Sequence, residues 1–220
     1  MSQARHILEV KKKQIETNLL AMVHQVKQAM EQAMNCLNGS DKAACRRIVE
    51  NDAQVNEIRR LIEQDCFTAI ALHQPVAHDL RDIVGSARIA GELERTGDYA
   101  SDIASIVTQM NGYDPSQLGI ETVGTISSLA ARMLDEVVAA FLEKDIDKAK
   151  KAAKLDDQLD AEHVNLVEKL FNVMQSNPDT VPDASRMLWI SHNLERCGDR
   201  ATNIAEHIVF ILEAEVVDLD

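Results

Sequence analysis

Ile7, Leu8, Val10, Ile15, Leu19, Met22, Val23, Val26, Met30 and Met34 recur along the first part of the chain at steps of mostly three and four residues. That spacing stacks side chains on one face of a 3.6-residue turn, and one long helix over about residues 3–37 accounts for it. Asn38-Gly39-Ser40-Asp41 follows, a glycine stop and then an N-cap candidate, and a second helix runs to about Leu72. Pro75 suits the first turn of a third helix, which ends near Met110 before Gly112, Asp114-Pro115 and Gly119. A fourth helix is expected from about Gln117 to Leu142, and a fifth from an Asp145 cap to about Gln175. Ser176-Asn177-Pro178-Asp179 and Pro182-Asp183 then break the chain, and a sixth helix ends near Ala214. No stretch shows strand alternation with β-branched enrichment.

The third and sixth helices carry one segment twice. Residues 94–104 read Glu-Arg-Thr-Gly-Asp-Tyr-Ala-Ser-Asp-Ile-Ala, and residues 195–205, 101 positions later, read Glu-Arg-Cys-Gly-Asp-Arg-Ala-Thr-Asn-Ile-Ala. A self-match at fixed offset marks an internal repeat. The chain is therefore expected to be all-α: six long helices forming two tandem antiparallel three-helix bundles, residues 1–112 and 113–220.

At about 100° per residue, Glu94, Asp98 and Asp102 share one stripe with Ala87, Ala90, Gly91, Gly97, Ser101 and Ser105. Ile89, Leu93, Ile103, Ile106 and Val107 lie opposite. The second helix of each half adds an acidic or amide pair one turn apart, Asp52 with Asn56 and Asp156 with Asp160. Like charges at this spacing repel, and carboxylate oxygens on two packed helices suit a shared divalent or trivalent ion such as Fe, Zn, Mn or Mg. Candidate ligands are Asp52, Glu94, Asp98 and Asp102 in one half, and Asp156, Asp160, Glu195 and Asp199 in the other. The plainer alternative is a solvated face laced with ion pairs. Gly97 and Gly198 each cost a helix about 1 kcal/mol relative to Ala, which argues for a close approach at both. His192, one turn ahead of the second stripe, is within reach of an ion but reads first as a surface or packing residue. Arg95 and Arg196 are expected to pair with a neighbouring helix, and Trp189 to be core.

Composition narrows the function classes. Apolar residues make up 45% and aromatics 3%, so the core must be aliphatic. A formal charge of -13 argues against binding the phosphate backbone of nucleic acid and against docking on anionic lipid. Lys11 to Lys13 and the group Lys148, Lys150, Lys151, Lys154 are expected to be solvated helix faces. Cys36, Cys45, Cys66 and Cys197 form no C-x-x-C, so no zinc knuckle or disulfide framework is expected. With no apolar leader and no long apolar run, a soluble cytoplasmic protein without membrane insertion is expected. No Glu is followed three residues later by His, as a di-iron bundle oxidase would require, and no phosphate loop, nucleophile elbow or zincin motif occurs. No enzymatic activity is expected; the alternative is a carboxylate metal-storage protein or metal-dependent enzyme.

The doubled Glu-Arg-x-Gly-Asp, the Gln74-Pro75-Val76-Ala77-His78-Asp79-Leu80-Arg81 segment, the Asn203-Ile204-Ala205-Glu206 close and the six-helix plan together resemble the PhoU family of phosphate-uptake regulators, over essentially the whole chain. The resemblance implies pseudo-twofold symmetry between the bundles and a non-enzymatic negative regulator of the phosphate regulon. Its implied partners are the ATPase subunit of the phosphate ABC transporter and the regulon's sensor histidine kinase, with a homodimer as the assembly. It also implies metal sites at Glu94 with Asp98, Glu195 with Asp199, and Asp156 with Asp160. Asn56 and Asn203 depart from the acidic pattern, so the two sites are expected to differ.

Overall fold

In the computed structural model, which describes residues 3–39, 41–110 and 117–219, the apolar periodicity of the first stretch becomes α1 (Gln3–Gly39). Its buried side chains include Leu8, Ile15, Leu19, Met22, Val26, Met30 and Leu37, spaced to form one stripe. Asp41 caps α2 (Lys42–His73) by accepting from the backbone N–H of Ala43 and Ala44, each at 3.0 Å, so two of the helix's orphan donors are satisfied. The chain leaves α2 through Gln74 in the left-handed region (φ 46°), whose N–H reaches Ile70 O at 3.0 Å. Pro75 does not lie in the first turn of α3 (Ala77–Gln109): Val76 is the N-cap, and Pro75 occupies the extended link before it. Ser40, Gly112, Asp114-Pro115 and the expected boundary at 112/113 lie outside the described residues.

After Gly119 (φ 69°) come α4 (Ile120–Glu143), α5 (Ile146–Ala153), α6 (Asp156–Ser176), a 3-10 turn at Pro178–Thr180 and α7 (Val181–Glu213). Asp145 caps α5 as expected, accepting from Lys148 N at 2.9 Å. The expected fifth helix is broken in two. At Lys154–Leu155 the backbone tightens, with Leu155 N donating to Ala152 O at 3.1 Å, so that Ala149, Ala152 and Ala153 on one side and Leu159, Leu166 and Leu170 on the other all face the core. No proline or glycine stands there, which is why periodicity alone runs through the break.

α1, α2 and α3 pack on one another, while α4, α5 and α6 pack on α7. The six-helix plan survives, with its fifth member bent. α3 and α7 form the seam between the two sets. They run antiparallel, since contacts pair early residues of α3 with late residues of α7: Arg81 Nε donates to Ile211 O (3.3 Å), Glu92 meets Arg200, and Tyr99 meets Arg196. α1 also touches α4, and Lys27 there pairs with Asp135. Among the described residues no strand occurs and no helix is long and apolar enough to cross a membrane. All four cysteine thiols are free and buried.

Candidate functional site

The first acidic stripe lies in the groove between α2 and α3. Arg59, on α2, donates from Nη1 to Glu94 Oε1 (2.7 Å) and from Nε to Glu63 Oε1 (3.1 Å), and Asn56 Nδ2 donates to Asp52 Oδ2 (2.9 Å). Asp98 and Asp102 stay exposed and make no ion pair among the described residues. Although Asp98 retains solvent contact, partial desolvation together with the charges of Glu94, Asp52 and Asp102 pushes its carboxyl up to about 6, with Arg59 opposing. Asp52 is raised too, first by burial, then by Glu94 and Asp102 against the bond from Asn56. The structure therefore brings Asp52, Glu94, Asp98 and Asp102 into one field, as the helix geometry requires.

The second stripe lies between α6 and α7 and is differently balanced. Asp199 already has Arg196 Nη1 at 3.1 Å and Arg200 Nη2 at 3.7 Å, and Thr202 Oγ1 donates to Asp156 Oδ2 at 3.3 Å. His192 Nδ1 stands 3.2 Å from Glu195 Oε2, out of line for a hydrogen bond, so the contact is electrostatic and depends on a protonated imidazole. Burial raises the Glu195 carboxyl, helped by Asp199 and Asp160 and opposed by His192 and Arg196. His163, unremarked in the sequence, sits with Nδ1 2.7 Å from the buried Ser191 Oγ, and burial holds its pKa down. The oxygen-rich donors suit hard cations, but no three of the described His, Cys, Asp or Glu side chains stand close enough to hold one.

The repeated glycines have a packing cause. A Cβ on Gly198 would lie 2.6 Å from Asp156 Oδ1 and 2.9 Å from Leu159 Cδ1; one on Gly97 would meet Val55 Cγ1 at 3.3 Å and Val26 Cγ2 at 3.7 Å. The close approach inferred from sequence is thus made by the neighbouring helices themselves. Trp189 is not core: it is 62% exposed and stands edge-on to His192 at 5.9 Å between ring centroids. Arg95 is exposed without an ion pair among the described residues, and Arg196 pairs within its own helix, reaching α3 only through the hydroxyl of Tyr99 at 3.4 Å. Lys11 and Lys12 are not merely solvated, because they bind Asp65 (2.8 Å) and Asp79 and Asp82 (2.8 and 2.6 Å) across helices.

The polar centre of the seam was missed in the sequence. Glu92 Oε2 accepts from Arg200 Nη1 (3.1 Å) and Asn203 Nδ2 (3.0 Å), with His207 Nε2 4.0 Å from Oε1. A signal existed: Tyr99 and Arg200 fill the same place in the two motif copies, and both face the seam. Asn203 stands where the first copy has Asp102 because a carboxylate there would oppose Glu92.

The raised Asp98 gives the fold a pH dependence of definite sign. An unfolded Asp titrates near 3.9, so the native chain holds more protons between about pH 4 and 6, and stability falls as pH rises through that window. Asp98→Asn is expected to melt higher than the parent at pH 8 and to flatten the melting temperature between pH 4 and 7. A variant melting lower at pH 8 would show that Asp98 is favourably paired.

Known proteins share both sequence and shape with this chain. The PhoU domain model matches twice, over residues 19–107 and 123–208. The phosphate-specific transport system accessory protein PhoU homolog of Clostridium acetobutylicum is 29% identical over 217 residues, covering 98% of this chain and 99% of that protein. The crystal structure of PhoU from Pseudomonas aeruginosa superposes with a TM-score of 0.89 at 31% identity, covering 94% of this chain and 99% of the other. That of the phosphate transport system regulatory protein PhoU from Streptococcus pneumoniae gives 0.89 at 27% identity, covering 96% and 99%. With two model matches, one in each half and at corresponding positions, and a fold shared from end to end, the chain belongs to the PhoU family.

Proposed function

We propose that this chain is a cytoplasmic, non-enzymatic negative regulator of phosphate uptake, coupling the ATPase of a phosphate ABC transporter to the sensor histidine kinase of the phosphate regulon. The observation that carries this reading is similarity along 98% of the chain to a phosphate-specific transport system accessory protein. The geometry agrees with work done by binding, since the polar groups form grooves and a seam, and Ser191, among the described residues the one serine bonded to a histidine, is wholly buried. Deleting the gene is expected to raise a phosphate-starvation reporter in phosphate-rich medium. An unchanged reporter would defeat the regulatory reading. Self-association as a dimer is part of the proposal and is read by sedimentation of the purified chain.

A cation at the first groove belongs to the same reading, supported by the mutual repulsion of Asp52, Glu94, Asp98 and Asp102. Ligands that do not yet converge must swing inward to hold it. Binding to the native state alone raises stability by mass action, so added Mn²⁺ or Fe²⁺ is expected to raise the melting temperature of the parent and less that of Asp98→Asn. Identical melts of the parent with and without metal would remove the cation from the proposal.

A further inference from the structure

The repeat preserves something besides its acids. Phe67 and Phe171 occupy equivalent places on α2 and α6, 104 residues apart like Asp52 and Asp156, and they are 70% and 58% exposed. Leu80 and Val181, 101 residues apart at the starts of α3 and α7, are exposed as well. Only four phenylalanines occur in the chain, and leaving two of them in water at matching positions forfeits burial that either could contribute to a core.

Each phenylalanine continues the flank of its helix that borders the acidic groove. Asp52, Asn56, Arg59, Glu63 and Phe67 follow at steps of four, three, four and four residues, and Asp156, Asp160, His163, Val167 and Phe171 repeat those steps. The thiol of Cys66 donates to Ile83 O at 3.5 Å, which sets the turn of Phe67 beside the start of α3. There the wheel places Leu80, Val84 and Ala87 on the same stripe as Glu94, Asp98 and Asp102. Each groove is therefore apolar at one end and lined with carboxylates along the rest, although in the second copy Arg196 and Arg200 already meet Asp199. Leu72 and Val76, both largely exposed, extend the apolar end of the first copy, and Trp189 flanks the second.

We propose that these two grooves are a repeated docking face for a basic amphipathic segment of a partner protein, the aromatic side chain seating its apolar residues and the carboxylates receiving its lysines or arginines. Charge selects this occupant. The local cations are already engaged, Arg59 by Glu63 and Glu94 and Arg60 by Glu57, while Asp98 and Asp102 are open; Arg95 at the edge leaves the balance negative. A chain of net charge -13 repels anionic lipid and nucleic acid, and the same face of a second copy carries the same sign. The inference rests on the regulatory reading only for its biological use.

The test uses the full chain and a fluorescein-labelled synthetic helix with leucines on one face and lysines on the other, followed by anisotropy at low salt. The parent is expected to bind it, and Phe67→Ser with Phe171→Ser to weaken binding about tenfold or more, with an unchanged helical spectrum and melt because both rings lie outside the core. A peptide of equal charge with serines replacing the leucines is expected to bind about tenfold more weakly. Asp98→Asn with Asp102→Asn is expected to reduce the salt dependence. Equal affinity for the two peptides, or undiminished binding by the serine variant, overturns the proposal, as does preferential capture of anionic vesicles. In the deletion strain the serine variant is expected not to silence the phosphate reporter. A variant that loses the peptide yet silences the reporter removes this face from regulation and leaves the regulatory role intact.

Discussion

Glu92→Ala is expected to destabilise the fold by about 3 kcal/mol, because it removes the nearer of two carboxylates that face the Arg200 charge in a seam largely closed off from water. Arg200 is 8% exposed, its Nε has no hydrogen-bond partner among the described residues, and its bond to Glu92 at 3.1 Å is shorter than its 3.7 Å approach to Asp199. The same substitution frees Asn203 Nδ2 and leaves His207, whose pKa burial already lowers, without its nearest anion. For a chain of this size the loss corresponds to a fall in melting temperature on the order of 6 to 12 °C. Glu92→Ala combined with Arg200→Met is expected to recover much of it, since an apolar side chain of similar reach needs no counter-charge. If Glu92→Ala melts within about 2 °C of the parent, water screens the pair and the seam is held by packing alone.

The fold was legible because each long helix obeys its own rules of period and cap. Asp41, Asp145 and the Pro178 cluster stand where the structure starts, caps or breaks helices, and the doubled motif sets the equivalence of α3 and α7. The carboxylate patch of the first groove was legible as well, since α2 and α3 must meet along Asp52 and Glu94 if both bury their apolar stripes. Three kinds of information were not available to a one-dimensional reading. The break at Lys154–Leu155 arises from the need of α5 and α6 to face the core from different angles, and no residue type records it. Arginine partners depend on which helix lies across the groove, so Arg59 and Arg200 could not be assigned to Glu94 and Glu92. Trp189 looks like core by type, yet its turn of α7 leaves it beside His192 in solvent. The metal expectation met a similar limit: spacing on one helix sets which carboxylates share a face, whereas their convergence depends on rotamers and on how Gly97 and Gly198 seat the neighbouring helices. Glu94 is a case in point, because its bond to Arg59 means that neutralising it removes a favourable pair, so Asp98 is the residue whose neutralisation reports repulsion.

Gly85→Ala is expected to lower stability by up to about 2 kcal/mol, and the reason lies in how closely α3 and α7 approach. Helix propensity alone favours alanine by about 1 kcal/mol, so the packing conflict has to exceed that gain. A Cβ at position 85 would lie 2.3 Å from Ile211 Cγ1 and 2.5 Å from Cδ1. Ile211 is 5% exposed and β-branched, with few rotamers into which it can retreat, so the two helices must separate or the side chain must strain, at about 1 to 3 kcal/mol or somewhat more. Two other glycines of α3 supply the comparison. Nothing lies within 4 Å of a Cβ on Gly91, so Gly91→Ala is expected to raise stability by up to about 1 kcal/mol. Gly97→Ala, with Val55 at 3.3 Å, falls between them, and thermal or urea melts of the three variants order them along a single helix. Gly85→Ala with Ile211→Ala is expected to be less damaging than the sum of the two single changes, by at least about 1 kcal/mol, because the truncated side chain vacates the space the new methyl needs. Strict additivity would place the conflict elsewhere, and a Gly85→Ala variant as stable as Gly91→Ala would mean that the seam yields at Ile211 without loss.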